Sequence, residues 1–373
     1  MRVIILMGFC IFLNTTVHAQ PYFSRMFDFN YYWDGFNNFL FKENSNIILT
    51  GTTVNLLVND STKYQKILLL KLNSSGEIIG ENIVKQYSKN STTLEPIKSS
   101  KNKVVYGFYD SISNFDNYYL SNIDNNLDLL NIVPLKFQKN TSLTNTGTLL
   151  SNKLYFFCAD YTSFVASKLK LSMQCMDTNG NLLWGKVFQD KRCYTNNVVQ
   201  TKDGNFLLAG FKYYGESLGA QDSAFAWYAK VDTLGNILWE KDLIRGSPFL
   251  CDDLWASNAD GDIYLSGSLL AFQGNIPIDL HRDSSYCTIA KIDDKTGNII
   301  WHKQYFTERQ KIQGLLSVIK PLNYYNGSLY TLVDHFVSER ENPNDLSQYV
   351  MFAKFDLQGN LIWKRLFSNW YLS

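Results

Sequence analysis

Histidine, proline and cysteine are scarce in this 373-residue sequence, with 4, 7 and 6 copies respectively, and so is any excess of charge. Beyond the leader only His281, His302 and His335 remain, too far apart in the chain for a local metal motif, and no cysteine–histidine spacing suits zinc. A Gly-x-Ser-x-Gly elbow, a phosphate loop and a dinucleotide fingerprint are missing too, so no metal, no cofactor and no catalytic residue is assigned. The balance of 35 basic and 34 acidic residues excludes nucleic acid or an anionic membrane surface as the main partner. Past the N-terminus no apolar run approaches the roughly 20 residues that span a bilayer, so no transmembrane segment is expected. Five cysteines follow the leader: Cys158, Cys175, Cys193, Cys251 and Cys287. An odd, scattered set is no disulfide framework; Cys158 and Cys175 are the one pair that antiparallel strands could juxtapose, and buried free thiols are the expectation. Helical periodicity, linkers and low-complexity tracts are absent as well.

What the chain has is a repeat. Lys230 to Lys241 and Lys354 to Arg365 both read Lys-hydrophobe-Asp-x-x-Gly-Asn-hydrophobe-hydrophobe-Trp, and Lys291 to Lys303 carries the same pattern with one inserted residue. Weaker copies run from Asp177 to Lys186 and from Asn73 to Gly80, and a degenerate one from Asp124 to Asn131 has Leu127 in the glycine position. The glycine positions, 76, 127, 180, 235, 297 and 359, are 51, 53, 55, 62 and 62 residues apart. Such periods suit a four-stranded propeller blade and exceed helical or leucine-rich repeats.

Upstream of each copy a turn precedes an apolar strand, at Asn46 to Gly51, Lys103 to Gly107, Lys153 to Cys158, Asn205 to Gly210, Asp262 to Gly267 and Ser328 to Val333. The pairs Asp203-Gly204, Asp260-Gly261 and Asn326-Gly327 supply the positive φ that tight hairpins need. Each unit therefore reads as strand A, tight turn, strand B, longer loop, strand C, Asp-x-x-Gly turn, strand D. An aromatic content of 15% agrees with an all-β protein. The fold class expected is a β-propeller of four-stranded antiparallel blades, six in number. A seventh is left open because Tyr22 to Phe27 also resembles a strand D.

Arg2, the apolar run Val3 to Leu13 and Val17-His18-Ala19 have the form of a cleaved signal peptide, residues 1–19, followed by one propeller domain over 20–373. Export to the periplasm, the cell surface or the exterior follows. The motif Asp and Asn side chains are expected to cap their turns by bonding backbone. Asn258, Asp260 and Asp262 are read as one such hairpin turn rather than a calcium loop, since an apolar strand begins at Ile263. Trp184, Trp239, Trp301 and Trp363 each stand four residues after the motif glycine, a once-per-blade recurrence that predicts packing over the glycine turn of a neighbouring blade.

At these residues the chain resembles the tryptophan-docking β-propellers, a group that includes quinoprotein dehydrogenases and an outer-membrane assembly lipoprotein; Ala290 to Trp301 carries the likeness best. In quinoproteins the resemblance implies a calcium-bound quinone in an eight-bladed ring beside adjacent cysteines. This chain has no Cys-Cys pair and fewer blades, so those residues are not carried over. The chain is also similar to secreted, Asn- and aromatic-rich repeat proteins of Bacteroidota that commonly end in a type IX sorting domain. Here the last expected D strand is followed closely by Ser373, without such a domain.

In an antiparallel blade the A-to-B and C-to-D turns share one end, and the B-to-C loops and D-to-A crossings share the other. The second end carries the long segments Phe211 to Ser223, Ser268 to Ser285 and Asp334 to Gln348. Long loops on a rigid scaffold are where binding concentrates. Candidate ligand-binding residues on them are Tyr213, Tyr214, Phe272, His281, Arg282, His335 and Arg340, joined by Trp33, Asp34, Tyr194, Asp252 and Asp253 from crossings or early strand A. The function expected is a non-catalytic interaction module for a protein or glycan. The alternative is a glycan hydrolase or lyase using Asp34, Asp252 and Asp253 as acid and base.

Overall fold

The computed structural model describes residues 4–6, 25–27, 33–43, 46–55, 64–73, 77–84, 91–96, 102–110, 115–138, 141–143, 147–161, 169–188, 192–214, 223–242, 254–271, 284–305, 315–319, 322–338 and 346–371. These residues form an all-β fold of six antiparallel blades, a β-propeller, and contain no helix. Strands β1 (Ile4–Leu6) and β2 (Arg25–Phe27) pair only with each other. The described part of the N-terminal D-like segment therefore adds no strand to any blade.

Blade 1 is β3 (Trp33–Glu43), β4 (Asn46–Asn55), β5 (Tyr64–Leu72) and β6 (Ile78–Val84); blade 2 is β7 (Ser91–Pro96), β8 (Lys103–Asp110), β9 (Phe115–Ile123) and β10 (Leu129–Pro134). Blade 3 has its strand A in two pieces, β11 (Thr141–Leu143) and β12 (Thr148–Leu150), both paired to β13 (Lys153–Tyr161), followed by β14 (Leu169–Asp177) and β15 (Leu182–Val187). Blade 4 is β16 (Arg192–Gln200), β17 (Phe206–Tyr214), β18 (Ser223–Val231) and β19 (Ile237–Asp242). Blade 5 is β20 (Leu254–Ala259), β21 (Asp262–Ala271), β22 (Ser284–Ile292) and β23 (Ile299–Tyr305). Blade 6 again splits strand A, as β24 (Leu315–Ile319) and β25 (Asn323–Tyr325), before β26 (Ser328–Ser338), β27 (Leu346–Phe355) and β28 (Leu361–Tyr371).

Two of the three expected A-to-B pairs are left-handed at both residues; at Asp203-Gly204 only Gly204 is, at φ 82°, within a longer turn in which the Gly204 N–H donates to the Thr201 carbonyl. Asp260 and Gly261 lie at φ 54° and 86°, and Asn326 and Gly327 at 45° and 71°, the paired left-handed residues of a type I′ hairpin. In the C-to-D turns one carboxylate oxygen of Asp232 accepts from the backbone N–H of Leu234 and Asn236, and that of Asp356 from Gln358 and Asn360. Gly180, Gly235, Gly297 and Gly359 all have φ between 69° and 76°, where a Cβ is strained. Leu127 takes the same conformation at φ 66°.

The chain divides into two compact units, one comprising residues 1–142, 146–156 and 174–185 and the other the remainder. In the first, Ile48, Leu69, Val104, Ile123 and Leu127 form a buried cluster joining blades 1 and 2. In the second, one cluster packs Leu207, Ala209 and Tyr228 of blade 4 against Leu254, Ala256 and Leu265 of blade 5. Another packs Tyr264, Cys287 and Ile289 of blade 5 against Leu329, Met351 and Phe355 of blade 6. Alternation along each strand thus feeds two seams, because successive side chains leave opposite sheet faces.

Candidate functional site

Most of the recurring chemistry of the repeat is consumed in joining blades. In the second unit a Cβ on Gly297 would lie 2.5 Å from Cε3 of Trp239, and one on Gly359 would lie 2.5 Å from Cη2 of Trp301. Each indole therefore covers the glycine turn of the next blade, as expected. All four indoles also meet a tyrosine of their own blade: Trp184 meets Tyr155, Trp239 meets Tyr228, Trp301 meets Tyr264 and Trp363 meets Tyr330. The Tyr228 hydroxyl donates to the Gly297 carbonyl at 3.0 Å, and the Tyr305 hydroxyl donates to that of Gly359. Burial pushes the Tyr228 hydroxyl up to about 12, so it stays a donor at neutral pH.

The motif lysines and asparagines also meet across seams. Lys186 Nζ donates to Asn236 Oδ1 at 2.7 Å, and Lys303 Nζ to Asn360 Oδ1 at 2.6 Å; in the first unit Lys136 reaches Asn181 Oδ1 at 2.8 Å. Lys230, only 3% exposed, contacts Asp203 Oδ2 at 2.8 Å in its own blade, and Asp294 Oδ1 at 2.9 Å and the Asp294 carbonyl at 3.2 Å in the next. Burial would raise the Asp203 carboxyl, but bonds from Lys230, Thr201 and Asn205 outweigh it and hold that group well below its ordinary range. Asn197 imitates a strand neighbour: its amide donates to the Ala256 carbonyl and accepts from the Ala256 N–H, both at 2.7 Å. Lys230 was legible in principle, since lysine opens four motif copies, but its buried role was not. Asn197 left no signal, because its partner is the backbone of a residue in the following blade.

With those residues accounted for, the end of the second unit that carries the B-to-C connections remains. Its strands run further than their apolar cores suggested, which shortens the connections to 215–222, 272–283 and 339–345. Tyr213 and Tyr214 are consequently strand residues, paired with Ala224 and Ser223. His335 is also in a strand, between Ser317 and Tyr349, and not on a loop. Ladder pairing continues through these polar and aromatic stretches because it needs only backbone groups. Tyr194 pairs with Phe211 and Arg192 with Tyr213, so the start of β16 and the end of β17 bring Tyr194, Tyr213 and Tyr214 to one end of blade 4. In the first unit Trp33 and Asp34 open β3, opposite Val54 and Thr53. Asp252, Asp253, Phe272, His281, Arg282 and Arg340 lie outside the described residues.

Among the described residues no group of three or more His, Cys, Asp or Glu is placed to hold a metal ion. Asn258 Oδ1 caps its own turn by accepting from the Gly261 N–H, and Asp262 takes Lys291 Nζ at 2.6 Å. Cys158, Cys175, Cys193 and Cys287 are buried and unbridged. Cys175 interacts with Tyr155, while the Cys158 carbonyl accepts from Ser172, so the two cysteines stand opposite different partners along β13 and β14. No described helix is long and apolar enough to cross a membrane.

No protein-family model matches the chain, and no curated protein matches it. Solved structures do resemble it. A hydrazine synthase of Kuenenia stuttgartiensis aligns at TM-score 0.49 with 10% identity, over 80% of this chain and 75% of the other. A PL25 ulvan lyase bound to a sulfated disaccharide aligns at TM-score 0.49 with 9% identity, over 89% and 86%. The apocarotenoid oxygenase of Synechocystis aligns at 0.42 with 10% identity over 70% of this chain, which spans 59% of the oxygenase. At these identities no activity transfers.

Proposed function

We propose that the protein is an exported, non-catalytic propeller that binds a protein or glycan through the end of the blades bearing the long connections, in the periplasm or at the cell surface. The observation that supports this most is the asymmetry between the two ends in blades 4 to 6. One end is closed by hydrogen-bonded turns whose polar residues hold neighbouring blades together. The other carries 215–222, 272–283 and 339–345, with Tyr213 and Tyr214 in the strand leading into the first. A rigid scaffold that gathers its longer connections at one end is the usual arrangement of a binding surface, and tyrosine supplies contact area at low entropic cost.

The test uses the mature chain on a glycan array and in a pull-down from the native envelope fraction, with analysis of whatever is retained. A Tyr213→Ala/Tyr214→Ala variant should lose about tenfold or more in retention of the same ligand, as expected for central tyrosines. Retention that is indifferent to that change would remove this end as the binding surface. Cleaved glycan products, abolished in Asp252→Asn or Asp253→Asn, would replace the module with a glycan-active enzyme.

A further inference from the structure

The seam between blades 1 and 2 departs from the indole-on-glycine pairing that joins blades 4 to 5 and 5 to 6. Four residues after the motif glycine, where Trp184, Trp239, Trp301 and Trp363 stand, the first copy has Gly80, and the turn of the following blade has Leu127 where the others have glycine. The exchange is reciprocal in space as well. Leu127 is 1% exposed, and its Cδ1 would lie 3.7 Å from a Cβ on Gly80, so a side chain from the receiving turn reaches back toward the missing indole. Leu127 adopts φ 66° to do so, a left-handed conformation that is strained for a residue with a Cβ.

Leucine does not replace an indole, and beside Leu127 and Gly80 lies a cleft of about 330 Å³ at the tight-turn end of the blades. That volume is at the lower bound of small-ligand sites. Its walls are Asn46, Asn125 and Asn126, the oppositely charged Lys71 and Glu81, and Ile79, which is 51% exposed. The floor is held in place: Asn82 Nδ2 donates to the Leu127 carbonyl at 2.9 Å and to Asp128 Oδ1 at 3.0 Å, and Lys71 Nζ donates to the Asn125 carbonyl at 3.3 Å.

We infer that this cleft is a second ligand site, for a neutral, hydroxyl-rich ligand about one saccharide ring in size. One cation and one carboxylate cancel, which disfavours ionic ligands. Side-chain amides both donate and accept, matching vicinal hydroxyls that do the same. Ile79 offers an aliphatic wall for the C–H face of a ring. The site is independent of the long-connection end and of any activity there.

Saturation-transfer NMR on the mature chain, with the methyl glycosides of glucose, galactose, mannose and rhamnose as probes and N-acetyltryptophanamide as comparator, tests it. At least one glycoside should receive saturation. The signal should fall several-fold in Asn126→Ala and in Glu81→Ala, two exposed positions that each lose a hydrogen-bonding group facing the cleft, and persist in Tyr213→Ala. Gly80→Trp combined with Leu127→Gly restores the indole-on-glycine pairing of blades 4 to 6 and should abolish it. No transfer to any glycoside, transfer unchanged in Asn126→Ala and Glu81→Ala, loss in Tyr213→Ala, or transfer to N-acetyltryptophanamide alone would each overturn the inference; the last would make the cleft a vacant aromatic dock.

Discussion

Single side chains hold this protein together at places where two blades meet, and their energetics follow from close contact. Trp301→Ala should cost about 3 kcal/mol in urea unfolding, through lost burial over the Gly359 turn. Gly359→Ala should cost about 2 kcal/mol or more, since its Cβ would meet the indole at 2.5 Å on a backbone at φ 75°. The two changes share one contact, so the double variant should lose clearly less than the sum; additive losses would show that the indole does not cover the glycine. Lys230→Ala leaves Asp203 and Asp294 without their cation and should cost about 2–3 kcal/mol, while Lys230→Met, which keeps the aliphatic stem, should cost less. Equal losses in both would assign the effect to the ion pairs alone, and a negligible loss in Lys230→Met would mean that the ion pairs contribute little.

Four turn aspartates make the fold sensitive to acid. Hydrogen bonds from Asn181 to Asp177 and from Thr296 to Asp293 hold those carboxyls below their ordinary value of 3.8; at Asp232 and Asp356 burial pushes up but the bonds from Asn236 and Asn360 prevail. A carboxyl lowered on folding takes up its proton more readily in the unfolded chain. Its contribution is therefore complete above the ordinary value and is lost as pH falls toward the lowered one. These carboxyls add no slope above about pH 5 and should make the urea midpoint drop below about pH 4; burial holds His302 below its ordinary 6.5 and adds a shallower decline as pH falls through that value. An unchanged midpoint at about pH 3 would contradict the turn-capping role.

At the scale of the element, the outer strand of every blade repeats one exposed aliphatic, three residues after the motif glycine position: Ile79, Leu130, Leu183, Leu238, Ile300 and Ile362, none less than 43% exposed. Edge strands with apolar faces invite pairing between chains, and charged residues at Lys186, Lys241, Lys303 and Arg365 temper that hazard. Ile300→Thr with Ile362→Thr should leave stability within about 1 kcal/mol while reducing aggregation on heating, read by light scattering. A large loss of stability would show these aliphatics to be packed. Hairpins were legible because Asp260-Gly261 and Asn326-Gly327 demand one turn type. The far ends of β17, β21 and β26 were not, because Phe211 to Tyr214, Ser268 to Ala271 and Asp334 to Ser338 lack alternation and are held by backbone pairing. That is why Tyr213, Tyr214 and His335 were placed on loops and are found in strands.

For the whole molecule, six copies of a motif correspond to six blades, and no seventh D strand appears at β2, which pairs with β1 alone. The cysteines are part of the packing: burial pushes the Cys287 thiol well above its ordinary range, leaving it protonated and unreactive in the folded chain. Thiol titration of the mature, unreduced protein should find none reactive among Cys158, Cys175, Cys193 and Cys287 in the native state and every one of them after denaturation; fewer would reveal a bridge.

Blade count, strand order and turn type were determined by the sequence itself, because each rests on local patterning: a fixed period, alternation and left-handed residues at defined offsets. The motif's recurrence already implied Trp239 over Gly297, but which other residues meet across a seam was decided only by the tertiary structure. Lys303 on Asn360, Asn197 on Ala256 and Leu127 against Gly80 all join residues from neighbouring blades. Such partners have no fixed offset along the chain, since the loops between them vary in length, and only the packed sheets bring them within contact.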